Sequence, residues 1–165
     1  MKKILLLMLI PFVALSCIKE RDNGKNDLKV GAEIPEFSVV MNDGTTLNSS
    51  SLKSGVSLIM FFNTNCPDCK HTLPTVQKVY NEYSGQISFA LISREQGVTE
   101  LANYWQQNNY TLPFSGQTDR KVYNLFATSL IPRIYICKDG VIKSIYTDSP
   151  NPEYDRLVKD ISALL

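Results

Sequence analysis

The sequence lacks the features of several large protein classes. Its 165 residues contain 17 Lys and Arg against 16 Asp and Glu, a net charge of +1. Without a basic excess the chain has no electrostatic means of attracting a phosphate backbone, so we predict no nucleic-acid partner. It also lacks internal repeats, low-complexity tracts and any apolar run of the roughly 20 residues that span a bilayer.

Histidine and cysteine are scarce, with one His and four Cys. A structural zinc site needs a complete set of nitrogen and sulfur ligands. His71 and Cys137 complement the close pair Cys66 and Cys69 poorly, so we expect no bound metal, and no motif calls for another cofactor. An odd number of Cys remains once Cys17 is set aside, which argues against a framework of structural disulfides.

The N-terminus is typical of an exported bacterial lipoprotein. Residues 1–16 have a positive start followed by a short apolar run, as in a secretory signal peptide. The run ends in Ala14-Leu15-Ser16-Cys17, which resembles the lipobox of bacterial lipoproteins, although that family prefers Leu where Ala14 stands. The resemblance implies cleavage before Cys17 and lipidation of its thiol. The alternative is ordinary secretion with a free Cys17.

This interpretation divides the chain into three parts. Residues 1–16 are the lipoprotein signal peptide, residues 17–30 are a polar, lipidated flexible tether, and residues 31–165 are the folded domain. The protein would be anchored through lipid in the bacterial cell envelope and face the periplasm, on either the inner or the outer membrane.

Hydrophobic periodicity predicts alternating strands and helices in the folded part. The strands are expected at 36–41, 56–63, 86–93, 133–137 and 141–146. A single helical turn is expected at 50–52, and helices at 73–83, at 98–109, from an Asp119 N-cap through 126, and at 153–165. This order predicts an α/β fold with a central mixed sheet and helices on both faces.

The most informative segment is Cys66-Pro67-Asp68-Cys69, between a buried strand and a helix. A Cys at a helix start meets unpaired backbone N–H groups and the positive end of the helix dipole, which favour a thiolate, while the charge of Asp68 opposes it. Two Cys on one helical turn can close a small disulfide and reopen it. A redox pair is therefore predicted, with a metal half-site and an inert pair as the alternatives.

The order of these elements resembles the thioredoxin fold, and within it the TlpA/ResA-like thiol–disulfide oxidoreductases of the redoxin group, which are related to the AhpC/TSA proteins. The resemblance covers about residues 31–165. It rests on the entry segment 31–37, the Cys pair, Pro74 within the following helix, Ile131-Pro132 before a strand, and the turn 138–140.

The resemblance implies that this protein is a thiol–disulfide oxidoreductase and that it reduces protein disulfides. Cys66 would attack and Cys69 would resolve the mixed disulfide. Ile131 and a cis Pro132 would form the wall on which a client chain lies; a trans Pro at a strand start is the alternative. The implied partners are a cysteine-containing exported client and a separate thiol electron donor.

Three residues depart from the family pattern. Met60 stands where relatives keep an acid or Asn, so a proton acceptor for the buried thiol is not evident. Asn65 replaces the usual aromatic residue before the first Cys. Arg133 follows the expected cis-Pro where Thr is more usual; it would bind a client carboxylate or favour the Cys66 thiolate, or else be a solvated charge at a sheet edge.

Other single residues carry less information. His71 is expected to face away from the Cys pair, and Cys137 is expected to be a small packed side chain on its strand. A peroxiredoxin-like peroxidase is one alternative function, but the usual Pro and Thr positions before its Cys do not match Ile59 and Thr64. A redoxin-type copper chaperone is the other, although its Cys spacing differs from that of this chain.

Overall fold

A computed structural model describes residues 27–147 and 151–165 of the chain. The predicted signal peptide, Cys17 and residues 18–26 of the predicted tether lie outside the described residues. None of the helices in the described part has the length and apolar character that a bilayer crossing requires.

Seven strands and three α-helices follow one another in the described part of the chain. The strands are β1 (Ser38–Val40), β2 (Thr46–Asn48), β3 (Val56–Phe62), β4 (Ser88–Ser93), β5 (Phe114–Ser115), β6 (Arg133–Lys138) and β7 (Val141–Tyr146). The helices are α1 (Pro67–Tyr83), α2 (Val98–Asn108) and α3 (Tyr154–Ser162), with 3₁₀ helices at Ser49–Leu52 and Tyr123–Leu125.

The main sheet has the strand order β5-β4-β3-β6-β7. β3 pairs parallel with β4 and antiparallel with β6, so it is the central strand, and all of its residues are buried. This confirms the strand that the continuous apolar run predicts, since only a strand covered on both faces has no polar alternation. β1 and β2 form a separate antiparallel pair.

Helical segments cover both faces of the sheet. The ring of Tyr80, in α1, packs against Phe89 of β4 with centroids 5.1 Å apart. Phe89 is in register with Leu58 of β3, whereas Phe61 lies an odd number of residues further along and so points to the opposite face. There Phe61 contacts Tyr123 of the second 3₁₀ helix at 5.4 Å. The predicted α/β thioredoxin-like architecture is confirmed.

The junction between β3 and α1 has the expected form. Cys66 is the N-cap residue of α1, and Pro67 occupies the first helical position, where the absent N–H is not needed. Leu73, Val76 and Val79 are buried at helical spacing. The β6–β7 hairpin is also as predicted, with Asp139 and Gly140 at φ values of 50° and 77°, which a two-residue type I′ turn requires.

The predicted third helix is wrong. Instead of a helix starting at Asp119, the chain forms only the short 3₁₀ helix Tyr123–Leu125, and Leu125 is 44% exposed rather than inward-facing. The Asp119 carboxylate accepts a hydrogen bond from the Lys121 N–H at 2.9 Å and closes a local turn. The strands β2 and β5, of three and two residues, were not predicted.

Candidate active site

The Cys pair lies where the central strand meets a helix. After β3 the chain runs through Asn63, Thr64 and Asn65 before Cys66 begins α1. Cys66 is half-buried, Cys69 on the same turn is fully buried, and both are free thiols. The structure therefore presents one accessible thiol and, on the same helical turn, a second thiol that is shielded from solvent.

The two thiols have different environments. Burial raises the pKa of the Cys69 thiol well above that of an ordinary cysteine, and a backbone hydrogen bond from Asn63 counteracts this only in part. Cys69 is thus held as a neutral thiol. Cys66, at the helix start and partly open to solvent, is the more accessible of the two thiols, and its role as the attacking thiol stays a prediction.

The Ile131–Pro132 peptide bond is cis, as the resemblance implied. The Cys66 thiol donates to the backbone carbonyl of Ile131, with Sγ and O 3.5 Å apart. The preceding carbonyl, that of Leu130, accepts a hydrogen bond from the Tyr123 hydroxyl at 2.9 Å. The loop before β6 and the start of α1 thus form the two sides of one site. The role of Ile131 and Pro132 in client binding stays a prediction.

A buried glutamine holds the loop before Cys66. Gln96 accepts from the Thr64 N–H at 2.8 Å through its side-chain oxygen and donates to the Thr64 hydroxyl at 2.6 Å. Its amide nitrogen also donates to Glu100 at 2.6 Å, and the Asn65 side chain donates to the same carboxylate oxygen at 3.3 Å. The sequence analysis missed Gln96, because no local pattern relates it to a loop 32 residues earlier.

The position that holds an acid or Asn in relatives is apolar here. Met60 is fully buried in β3. Glu100 is the carboxylate tied to the loop before Cys66, and it lies on α2 at an exposed position. This places a carboxylate at the rim of the site instead of beneath it.

Arg133 is not a solvated charge, so that alternative is wrong. The residue is only 5% exposed, and its guanidinium forms an ion pair with Asp27 at 2.8 Å and donates to the Ser129 carbonyl at 3.1 Å. These contacts occupy the side chain, so the structure gives no support to its predicted contact with a client carboxylate. The partner lies 106 positions earlier in the chain, beyond the reach of any local charge pattern.

The same ion pair moves the start of the folded unit. The predicted tether extended to residue 30, but Asp27 pairs with Arg133 and the Leu28 N–H donates to the Phe126 carbonyl at 2.8 Å. Leu28 also packs on the core. The domain therefore includes residues 27–30, because Asp27 and Leu28 make these contacts with it.

The remaining candidates take no part in this arrangement. His71 is exposed on α1. Cys137 is fully buried in β6 opposite Ser57, as expected of a packed side chain, and burial raises the pKa of its thiol to about 12. Within residues 27–147 and 151–165, no group of three or more His, Cys, Asp or Glu side chains is arranged to hold a metal ion.

Comparison with known proteins finds relatives of this chain. ResA of Bacillus subtilis, a thiol–disulfide oxidoreductase, is 24% identical over 143 residues, which are 82% of this chain and 79% of ResA. A thiol:disulfide interchange protein of the thioredoxin family from Chlorobium tepidum has the same fold, with a TM-score of 0.70 at 19% identity, over 84% of this chain and 98% of that one.

A third likeness is to an exposed lipoprotein thioredoxin of Streptococcus pneumoniae, with a TM-score of 0.67 and 18% identity, over 79% of this chain and all of that one. Together with the fold, the similarity to ResA-type relatives identifies this chain as a thiol–disulfide oxidoreductase. The model of the AhpC/TSA family matches residues 30–145, more than half of the sequence, and the chain therefore belongs to the AhpC/TSA family.

Proposed function

We propose that this thiol–disulfide oxidoreductase reduces disulfides of exported proteins through Cys66 and Cys69 while tethered to a membrane by Cys17. The observation that carries the proposal is the contrast between the two thiols. Cys66 is half-buried at a helix start beside the Ile131 carbonyl, and Cys69 is sealed behind it. One thiol meets the client and the other is kept for the second step.

In the first step the Cys66 thiolate attacks one sulfur of a client disulfide. A Cys66–client disulfide forms, the client S–S bond breaks, and the other client sulfur leaves as a thiolate that takes a proton from solvent. The buried Cys69 does not compete for this attack, because burial raises its pKa and keeps it protonated.

In the second step Cys69 gives up its proton and attacks the Cys66 sulfur. The Cys66–Cys69 disulfide forms, the mixed disulfide breaks, and the second client sulfur leaves as a thiolate. That thiolate takes up a proton, which balances the one lost by Cys69, so that two electrons and two protons pass in all from the pair to the client. A separate dithiol donor must then reduce the pair, because the one other thiol of the described residues, Cys137, is fully buried.

The cis-Pro loop supports a mode of client binding. The Ile131 backbone lies at the Cys66 sulfur, so an extended client segment would place its own backbone beside this loop while its disulfide meets Cys66. Recognition through added-strand pairing depends on main-chain groups and tolerates many sequences. This fits a reductase with more than one client.

The location in the cell envelope rests on the N-terminal sequence. The positive start, the apolar run and Cys17 form a signal peptide with a lipid attachment site, and residues 18–26 would connect the lipid to the domain. The active site would face the periplasm. One acyl chain on Cys17 would hold the protein only loosely at the membrane, so stable anchoring would need more than one acyl chain or a further contact.

The function is tested by equilibrating the full chain with glutathione buffers and measuring the fraction of Cys66–Cys69 disulfide by mass spectrometry. The proposal predicts a reversible two-electron transition that Cys66→Ser and Cys69→Ser each abolish and Cys137→Ser leaves in place. A transition that persists without Cys66 would contradict it. Anchoring is tested separately by labelled fatty-acid incorporation in cells, which Cys17→Ser should abolish.

A further inference from the structure

A buried ion pair joins the start of the domain to the residue after the cis-Pro. Arg133 follows Pro132 directly, and its guanidinium contacts the Asp27 carboxylate at 2.8 Å and the Ser129 carbonyl at 3.1 Å. Both charged side chains are largely shielded, with side-chain exposures of 6% for Arg133 and 12% for Asp27. The pair lies beneath the client-facing loop instead of on the surface.

The Asp27 carboxylate also holds the loop on its other side. It accepts hydrogen bonds from the Thr128 N–H at 2.7 Å and from the Thr128 hydroxyl at 3.0 Å. One carboxylate therefore contacts residues on both sides of the Ile131–Pro132 bond. We call Asp27, Thr128, Ser129 and Arg133 the clasp.

Within the clasp, the buried charge of Arg133 requires the opposite charge of Asp27. A buried guanidinium without its carboxylate is an uncompensated charge, and the Arg133 Nε already has no hydrogen-bond partner among the described residues. Loss of Asp27 would force Arg133 to move toward solvent. That movement would also release the Ser129 carbonyl from the guanidinium, and the loop that carries the Ile131 carbonyl would then lose a contact that fixes its place beside Cys66.

We propose that Asp27 and Arg133 are positioning residues of the active site, which set the place of the Ile131 carbonyl against Cys66 and thereby the binding of a client backbone. The inference rests on the proposed function. It gives Arg133 a role through the loop and not through contact with the client. It also adds a residue, Asp27, that lies before the segment matched by the family model.

The test uses the full chain and two reactions. One is reduction of insulin, a folded protein with disulfides, in the presence of a dithiol donor. The other is alkylation of Cys66 by iodoacetamide, which needs no loop contact. Asp27→Asn keeps an oxygen for Thr128 but removes the charge that Arg133 requires. We expect it to lower the rate of insulin reduction about tenfold or more, as a displaced binding group does, with alkylation changed by less than about twofold.

The control is Glu36→Gln, which removes the charge of an exposed ion pair with Lys53 and leaves the four clasp residues unchanged. It should leave both rates unchanged. Asp27→Glu, which restores the charge, should recover part of the insulin rate. Equal losses in the two reactions for Asp27→Asn, or no loss in either, would overturn the inference.

The two proposals fail differently. If the unchanged chain does not reduce insulin, the proposed function is overturned and this inference with it. If the unchanged chain does and Asp27→Asn matches it, only the inference is overturned. Should Asp27→Asn not fold, Thr128→Val removes a single hydrogen bond of the clasp, and the same split between the two reactions decides the question.

Discussion

The thiol of Cys66 lies against the backbone carbonyl of Ile131, with 3.5 Å between the sulfur and the oxygen. The two residues are 65 positions apart in the chain, and the pairing of β3 with β6 brings them together. The thiol proposed as the nucleophile thereby lies beside the backbone group proposed to pair with a client chain. This relationship connects the chemistry of the Cys pair to the binding of a client.

The burial of Cys69 predicts a pH dependence for the second step. Because burial raises the pKa of this thiol, its thiolate fraction is small at neutral pH and grows as the pH rises. A mixed disulfide of Cys66 with glutathione should therefore resolve about tenfold faster for each pH unit, with no plateau near the ordinary thiol pKa of about 8.5. The measurement is the rate of glutathione release from about pH 6 to about pH 9, a range that includes the ordinary thiol pKa.

Cys69→Ser provides the control for that titration, since it should release no glutathione at any pH. A plateau of the release rate near pH 8.5, about the value of an exposed thiol, would mean that Cys69 is not shielded as the structure has it.

The aromatic cluster beneath the cis-Pro loop predicts a difference between two adjacent residues. Phe126 is fully buried and its ring lies 4.9 Å from that of Phe61, whereas Leu125 is 44% exposed. Phe126→Ala should lower the free energy of unfolding by about 3–5 kcal/mol, through lost burial and a cavity. Leu125→Ala should change it by less than about 0.5 kcal/mol. Urea unfolding measures both, and equal effects would favour the helix that the sequence predicted.

The sequence identifies most of the fold for physical reasons that these residues illustrate. The apolar run of β3 and the helical spacing of Leu73, Val76 and Val79 are local signals, so they are legible in one sequence. Leu125 and Phe126 have the same local pattern, but the segment is too short for a full helix and its burial is decided by Phe61, which is remote in sequence. The local periodicity of a sequence carries no information about a contact with so distant a residue.

The candidate site divides in the same way. Cys66 and Cys69 can be found from their spacing, and Pro132 from the resemblance to a family. The contact of Arg133 with Asp27 and that of Gln96 with Thr64 form only when distant segments meet. A charge or an amide has no local signature of its partner, so the sequence offered Arg133 only as a client-binding residue, as a group that favours the Cys66 thiolate, or as a solvated charge.

Gln96 predicts how the loop before Cys66 is held. Gln96→Ala would leave the buried Thr64 N–H without a partner, which costs about 1–3 kcal/mol of stability. Hydrogen exchange at the Thr64 amide should become faster at the same time. Gln106→Ala, at an exposed position of α2, is the control and should affect neither quantity. Unchanged exchange at Thr64 in Gln96→Ala would show that another contact holds the loop.

Capture of a client disulfide by Cys66 tests the central claim most directly. The full chain carrying Cys69→Ser is reduced, mixed with oxidised insulin and separated without reductant, and the linked residues are identified by mass spectrometry. We predict that a mixed disulfide with insulin accumulates in Cys69→Ser, linked through Cys66, and that no mixed disulfide with insulin accumulates in Cys66→Ser. No accumulation in Cys69→Ser, or equal accumulation in the two variants, would contradict the account.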